Sequence, residues 1–321
     1  MSENKMEQLR ERLGEVADVH AAIALLSWDQ ETYMPPKAAE DRGQHLATLS
    51  GLAHRLFVAP EMGVLLDGAA PTDEGDTKLI EVTRYDYDRA TRLPEAFVRE
   101  FAEEQSKAYH AWTKAREEAR FDLFAPNLHK MVALCQRKAE LLRYEDSPYD
   151  ALLDEFERGM TAEELRRIFG ELRPRLTALV EAIGGAPQPD VAWLEQTWDE
   201  DAQWAFGLQV LEDMGYDFEA GRQDRSVHPF TVAFGLNDVR ITTRSSARDL
   251  FSGLMGSIHE GGHALYGQGH DPADRRTPLL EGASLGIHES QSRMWENVIG
   301  RSLPFWKHYA PVFREHFPGQ A

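Results

Sequence analysis

Residues 250–266 read LFSGLMGSIHEGGHALY, and at their centre stands the segment HEGGH at positions 259–263. Apolar residues on both sides recur at helical spacing, so the segment is predicted to lie within an α-helix. His259 and His263 stand at positions i and i+4, which share one helix face, so both imidazoles can reach one metal ion. Glu260 follows the first histidine, a position that suits a general base acting on a metal-activated water. The segment predicts a metal site of the zinc type.

Two glycines, Gly261 and Gly262, stand inside this predicted helix. Each costs the helix about 1 kcal/mol relative to alanine. Because glycine has no side chain, its presence here indicates that something approaches this face of the helix closely.

A catalytic zinc takes three protein ligands and keeps one open position. The motif that carries a third histidine on the same segment requires glycine at 266 and histidine at 269. The residues there are Tyr266 and Gly269, so that motif is excluded, and His270 is one residue out of register. Spacing alone leaves four candidates open: Glu281, His288, Glu289 and Glu296.

The rest of the sequence predicts a mostly α protein. Apolar residues recur at spacings of three and four through the N-terminal two-thirds, beginning with Met6, Leu9 and Leu13. β-Branched and aromatic residues around the turn at 235–238 predict a β-hairpin at about 229–244. We therefore expect a multi-helix, zincin-like metallopeptidase fold with a small β-hairpin or sheet beside the metal helix.

The chain divides where Gly184 and Gly185 end the long helical part and a connector containing two prolines follows. We assign residues 1–185 to an N-terminal helical region and residues 186–321 to a catalytic region with the hairpin and the metal-binding helices. We expect the two regions to form one continuous globular unit.

Composition narrows the class of protein further. The 321 residues carry a formal net charge of −19, which repels nucleic acid and anionic lipid. A single cysteine, Cys135, excludes an internal disulfide and a Cys-rich zinc site. Because no signal peptide and no apolar run long enough to span a membrane is visible, we expect a cytoplasmic protein with no nucleic-acid or membrane partner.

Residues 222–248 depart from this acidic balance. They hold five arginines against two aspartates, a local charge of +3 directly before the metal helix. Arg240 and Arg244 stand at i and i+4 of the predicted strand and would share one face. We expect these two arginines and His228 to bind the substrate, although ordinary surface ion pairs also fit the arginines.

Asp238 and His288 are candidates for a supporting role. A metal-bound histidine normally donates its second ring N–H to a neighbouring acceptor, which fixes the ring. The alternative is that Asp238 is simply a solvent-facing turn residue and His288 a solvent-facing helix residue.

Six motifs spread over nearly the whole chain resemble those of the carboxypeptidase Taq family of zinc metallocarboxypeptidases, in the family's order and approximate spacing. They are Ser27-Trp28-Asp29-Gln30-Glu31, Asp150-Ala151-Leu152-Leu153-Asp154, His228-Pro229-Phe230, Asp238-Val239-Arg240-Ile241-Thr242, His259-Glu260-Gly261-Gly262-His263 and His288-Glu289-Ser290-Gln291.

The resemblance implies what spacing left open. It implies that His259, His263 and Glu289 are the metal ligands and that Glu260 is the general base. It further implies a Zn²⁺ cofactor that Co²⁺ can replace, peptide substrates with a free C-terminus, and a homodimer.

The sequence also departs from the family. Members are substantially longer, and two further motifs, [IV]RxxAD and GxxQDxHW, are expected beyond the third ligand but do not occur in the 321 residues. We therefore expect a form that lacks the C-terminal part of the family fold.

Three functions remain open at this point. The first is a zinc metallocarboxypeptidase that removes C-terminal residues. The second is a metal-binding, catalytically impaired family member with a structural or dimerising role. The third is an endopeptidase, if the missing segment closes one end of the groove.

Overall fold

The computed structural model describes residues 2–320 and the side chains of residues 5–320, so Met1 and Ala321 lie outside the described residues. The described part is mainly helical, with a small three-stranded sheet within residues 223–243. The helices are α1 (Ser2–Thr32), α2 (Ala39–Phe57), α3 (Pro60–Gly68), α4 (Glu74–Ala90), α5 (Glu95–Glu117), α6 (Ala125–Leu142), α7 (Pro148–Leu153), α8 (Ala162–Gly185), α9 (Glu200–Met214), α10 (Leu250–Gln268), α11 (Leu285–Arg293) and α12 (Leu303–His316). The strands are β1 (Gln223–Arg225), β2 (Thr231–Gly235) and β3 (Asp238–Thr243), and a π-helical turn (Met294–Ile299) follows α11.

Helix starts follow local capping residues. The Asp73 carboxylate accepts a hydrogen bond from the Asp76 backbone N–H at 2.8 Å where α4 begins. The Thr161 hydroxyl accepts from the Glu164 backbone N–H at 3.2 Å where α8 begins. Each satisfies an N–H group that has no partner within its own helix.

The predicted hairpin is confirmed, because β2 and β3 pair antiparallel with Thr231 opposite Ile241. The strand β1 was not predicted; it lies parallel to β3 and gives the sheet order β1-β3-β2. Three polar residues carry no alternating pattern, so sequence could not identify β1 as a strand.

The strand β2 forms one edge of the sheet. The backbone N–H groups of Val239 and Ile241 donate to carbonyl groups on the β1 side, both at 2.9 Å. Along a strand, the backbone groups of successive residues point alternately to the strands on its two sides. Because Val239 and Ile241 bond to the β1 side, the two residues of β2 that stand opposite them make no backbone hydrogen bond to β3. Ala233 and Thr231, which stand opposite them, therefore direct their backbone N–H and C=O groups away from the sheet.

The sheet lies between α10 and α1. On one face, the fully buried Val239 and Ile241 pack against α9 and α10. On the other face, the Arg240 guanidinium lies 4.5 Å from the ring centroid of Trp28 in α1. The free edge of β2 consequently runs between α1 and the metal-motif helix.

The largest core cluster joins α9, α10 and α12 behind the motif. It includes the buried side chains of Trp198, Phe206, Ile258, Phe313 and Phe317. This packing fixes the apolar face of α10, so that its opposite face can carry polar groups.

A second core lies at the N-terminus. Met6, Leu9 and Leu13 of the predicted α1 stripe are buried there, together with Met62 and Leu79. The prediction of a mostly α fold with a small β element beside α10 is therefore confirmed.

The helix α8 keeps an apolar face exposed in the described structure. It packs against α7 at its N-terminal end, where Thr161 caps it. The exposed apolar side chains are Ile168, Phe169, Leu172, Leu176, Leu179, Val180 and Ile183.

None of the described helices combines the length and the apolar character needed to cross a membrane. The division into residues 1–185 and 186–321 stays a prediction.

Candidate metal centre

The helix α10 carries the motif on a well-capped backbone. The Asp249 carboxylate accepts hydrogen bonds from the backbone N–H groups of Phe251 and Ser252 at 3.1 and 3.0 Å. Such an acceptor satisfies the free N–H groups of the first turn. His259 and His263 follow on one face of the helix, with ring centroids 5.0 Å apart.

The two motif glycines let neighbouring helices approach α10. A Cβ on Gly262 would stand 2.8 Å from Ser292 Cα in α11, and one on Gly261 would stand 2.4 Å from a methyl group of Leu211 in α9. The neighbour at Gly262 is backbone and cannot rotate aside. The close approach expected from the sequence is therefore that of α11, the helix that carries Glu289.

Three side chains converge at this contact. Glu289 Oε2 lies 3.3 Å from His263 Nε2 and 3.6 Å from His259 Nε2. One ligand atom from each residue lies within 4.8 Å of the others. Tetrahedral zinc with bonds of about 2.0–2.2 Å separates its ligand atoms by about 3.3–3.6 Å. The two imidazole nitrogens and the carboxylate oxygen therefore fit an ion of this size.

The second ring nitrogen of each histidine also has a partner. His259 Nδ1 lies 3.0 Å from Glu296 Oε2, and His263 Nδ1 lies 2.6 Å from His288 Nδ1. Such contacts fix the ring orientation and leave Nε2 for the metal. Glu296 belongs to the π-helical turn after α11, and Arg301 donates to its Oε1 at 2.6 Å. The structure thus brings His288, but not Asp238, to a motif histidine.

The protonation states suit metal binding. Burial lowers the pKa of His263 to about 4, and the charges of His288 and His259 act in the same direction. Burial alone would raise the pKa of Glu289, but the hydrogen bond from Arg293 at 2.7 Å and the charge of His259 lower it. A neutral imidazole and an ionised carboxylate are the forms that bind a metal.

The four candidates for the third ligand now separate. Among the described residues, Glu289 is the candidate that faces both Nε2 atoms. Glu296 and His288 contact the Nδ1 atoms instead. Glu281 lines a separate cavity.

Glu260 is buried, with 6% of its surface exposed. The Thr231 hydroxyl of the edge strand donates to Glu260 Oε2 at 2.6 Å. Burial raises the pKa of Glu260, while the Thr231 hydrogen bond and the charge of His259 oppose that rise. A raised pKa brings a carboxylate closer to the range in which a general base works. Sequence reasoning missed Thr231, because a strand pattern does not reveal which helix residue it meets.

Among the described residues, neither predicted substrate-side arginine contacts His259, His263 or Glu289. Arg240 forms a two-point ion pair with Asp238 at 2.8 Å and stacks over Trp28 and Phe234. Arg244 is exposed, and the described residues give it no ion pair or hydrogen bond. It stands beyond the end of β3, so the expectation that it shares a strand face with Arg240 is wrong.

A cavity of about 480 Å³ opens beside His259 and Glu260. His228 and Arg301 also line it. The Arg301 side chain is 56% exposed and uses one nitrogen on Glu296, so further N–H donors remain for a ligand. Sequence reasoning missed Arg301, because this residue follows α11 and lies outside the charged stretch before α10. Only the packing of the helices brings it to the cavity.

A helical scaffold that joins two histidines and a glutamate, with a buried carboxylate beside them, is typical of metallopeptidases. The chain belongs to the carboxypeptidase Taq (M32) metallopeptidase family, whose sequence model matches residues 8–321. The resemblance deduced from the motifs is therefore confirmed.

Individual relatives agree with this assignment. Thermostable carboxypeptidase 1 of Thermus thermophilus is 40% identical over 319 residues, an alignment that covers 94% of this chain and 62% of that protein. Carboxypeptidase 1 of Bacillus subtilis is 36% identical over 313 residues, an alignment that covers 96% of this chain and 62% of that protein. The crystal structure of an M32 carboxypeptidase from Deinococcus radiodurans superposes with a TM-score of 0.88 at 41% identity, covering 99% of this chain and 64% of that one. The chain thus spans somewhat less than two-thirds of the length of these relatives.

Proposed function

We propose that this chain is a zinc-dependent metallocarboxypeptidase, which hydrolyses the C-terminal peptide bond of peptides. The observation that carries the proposal is the convergence of His259, His263 and Glu289 beside the buried Glu260. The names of the relatives, which are carboxypeptidases, support the same reaction class.

The donor set supports zinc as the metal, with cobalt as a substitute. His259, His263 and Glu289 would hold the ion through two nitrogens and one oxygen, which is a common zinc ligand set in peptidases. When bound, the ion would lower the pKa of a water molecule and polarise the scissile carbonyl.

Glu260 would handle the proton. Its carboxylate accepts a proton from the attacking water and delivers it to the leaving amine. The Thr231 hydroxyl holds this carboxylate, and Glu296 and His288 hold the two imidazoles. The rate therefore depends on groups from β2, α11 and the π-helical turn as well as from α10.

The free edge of β2 offers a path for the peptide. Thr231 and Ala233 present backbone N–H and C=O groups that an extended peptide can pair with. His228 and Arg301 line the cavity at the N-terminal end of this strand, where they can receive the terminal carboxylate. The peptide would then run antiparallel to β2.

Because the peptide would follow β2, Arg301 replaces Arg240 as our preferred arginine for binding the substrate. Arg240 is 19% exposed and its guanidinium fork is occupied by Asp238, so it would position α1 against the sheet. Arg301 lines the cavity and is our candidate for the carboxylate, together with His228. Arg244, which is exposed and unpaired among the described residues, remains a further candidate.

Assembly and location are proposed together with the activity. We propose a homodimer in the cytoplasm, without nucleic-acid or membrane partners, in line with the resemblance and the net charge of −19.

Release of single amino acids tests the proposed function. The zinc-loaded chain is incubated with an N-acetylated peptide that has a free C-terminus and with the same peptide amidated there. Mass spectrometry of the products is expected to show stepwise loss of C-terminal residues from the first peptide and none from the second.

Two other results would contradict the proposal. Internal cleavage of the amidated peptide would identify an endopeptidase. One zinc per chain without any product would favour the catalytically impaired, structural or dimerising role.

A further inference from the structure

A second cavity, of about 540 Å³, lies between α1, β2 and the loop 276–281. Its apolar walls come mainly from α1, and its β2 wall is formed by residues 233–235, at the C-terminal end of the strand. Its charged lining residues are Asp18, Asp86, Arg276 and Glu281.

Two of the three carboxylates that line the cavity form ion pairs with arginines. Asp18 pairs with Arg276 at 2.5 Å, and Asp86 pairs with Arg158 at 2.8 Å. Among the described residues, the Glu281 side chain has no ion pair or hydrogen bond. Glu281 is therefore the carboxylate of this cavity that has no side-chain partner among the described residues.

The surroundings of Glu281 favour a cationic ligand. Glu281 is an exposed residue, yet the surrounding protein atoms desolvate its carboxylate enough to raise its pKa. The charge of Asp86 raises the pKa further, and that of Arg158 opposes the rise. Burial lowers the pKa of His20, another lining residue, so this ring does not supply the missing positive charge.

Two chain segments link the lining of this cavity to the candidate metal centre. The residue after Glu281 is Gly282, and a Cβ there would stand 2.9 Å from the ring of His288, which holds His263. The strand β2 makes the second link, because Thr231 contacts Glu260 and residues 233–235 line the cavity.

The charges at the two ends of β2 indicate in which direction a peptide would lie along this strand. His228 and the Arg301 guanidinium lie at one end of β2, and the unpaired Glu281 lies at the other. At about 3.3 Å per residue, the strand from 231 to 235 corresponds to roughly two to four peptide residues. We propose that this cavity binds the part of a peptide two to four residues upstream of the scissile bond, and that Glu281 selects a basic side chain there. The inference rests on the proposed function, since that function defines the scissile bond.

A binding experiment on the zinc-loaded Glu260→Gln variant tests this selection. The probes are N-acetylated alanine hexapeptides that end in leucine, with one lysine placed two, three or four residues upstream of the final peptide bond. In the matched peptides, norleucine replaces the lysine, so that the four-carbon side chain is kept and the charged amine is removed. Calorimetry is expected to show about fivefold to tenfold tighter binding of lysine at one of these positions.

The same comparison with Glu281→Gln added is expected to bring the lysine-to-norleucine ratio close to one. Glu163→Gln, at an exposed position on α8, is the matched control and should keep the ratio. Equal affinity for all probes, absence of binding, or a lysine preference that survives Glu281→Gln would overturn the proposal. A lysine preference that Glu281→Gln removes, without any leucine release by the unsubstituted chain, would contradict the proposed function but would still support selection of a basic side chain by Glu281.

Discussion

At the residue scale, each motif histidine is held by a different kind of group. His259 contacts the carboxylate of Glu296, whereas His263 contacts the imidazole of His288. Both supports come from the segment that also carries Glu289. The positions of the proposed third ligand and of the two ring partners therefore all depend on how α11 and the turn after it pack against α10.

The role of Glu260 gives a prediction at this scale. Glu260→Gln keeps the shape and the acceptor for Thr231 but cannot take a proton. We expect the rate of amino-acid release to fall by roughly 10²- to 10⁴-fold, while one zinc per chain is retained. Peptide turnover and metal content of the same preparation measure this. Loss of the metal in this variant would contradict the assignment of Glu260 as a base rather than a ligand.

Sequence reasoning reached the residues that act locally. His259, Glu260 and His263 share one helix, so their spacing alone placed them together. Spacing left the third ligand open, because Glu289 belongs to another helix and its distance depends on helix packing; the family resemblance selected it. Thr231 and Arg301 were missed for the same reason, since each reaches the site from an element whose position the sequence does not specify.

At the scale of elements, the contact between α10 and α11 brings the three proposed metal ligands together. Gly262→Ala would place a Cβ 2.8 Å from the backbone of α11. We expect the helices to separate, zinc affinity to fall about 10- to 100-fold, and the free energy of unfolding to fall by about 1–3 kcal/mol. Zinc competition titrations and urea unfolding measure the two effects.

Gly170→Ala is the control for this substitution. A Cβ at Gly170 in α8 meets nothing within 4 Å, so this change should raise the free energy of unfolding by about 0.5–1 kcal/mol. Unchanged zinc affinity in Gly262→Ala would show that the close contact between α10 and α11 does not hold the ligands in place.

The contact between α1 and α4 gives a pH-dependent prediction. Burial would raise the pKa of Asp76, but hydrogen bonds from Thr72 and Arg10 outweigh burial and lower it. The folded-state pKa therefore lies below the unfolded value, so Asp76 stabilises the fold above the usual aspartate range, and this stabilisation is lost as pH falls through the lowered pKa. Asp76→Asn should lower the free energy of unfolding at pH 7 by about 1.5–3 kcal/mol, with a smaller difference below pH of about 3.8.

Urea unfolding at pH 7 and at a pH of about 3.5 measures this difference. Asp88→Asn, at an exposed position of the same helix, should have little effect at either pH. If the difference between Asp76→Asn and the unsubstituted chain grows as pH falls, the expected direction of the pH dependence is wrong.

The elements themselves were largely predictable. The long helices and the hairpin have strong periodic patterns, and both were found where expected. The strand β1 was not predictable, because it is only three polar residues long. The π-helical turn was not predictable either, because it differs from an α-helix only in its hydrogen bonds.

At the scale of the whole molecule, the apolar face of α8 is an exposed surface that the candidate site does not explain. Leu172 and Leu176 are 50% and 51% exposed at its centre. Apolar patches of this kind bind apolar dyes and promote association. We expect the double substitution Leu172→Glu and Leu176→Glu to lower dye fluorescence while helicity by circular dichroism is kept.

Ala178→Glu is the control for charge on this helix, because it adds a carboxylate away from the two leucines. It should leave dye binding nearly unchanged. Equal dye fluorescence in the double variant and the control would show that the exposed face of α8 is not the surface that the dye detects.

We propose that His259, His263 and Glu289 together hold one zinc ion. Anomalous diffraction at the zinc absorption edge, from crystals of the zinc-loaded chain, tests it most directly. We predict one strong peak at about 2.0–2.2 Å from Nε2 of both histidines and from a Glu289 oxygen. A peak bound by Glu296 or His288 in place of Glu289, or the absence of a peak between the two histidines, would contradict this claim.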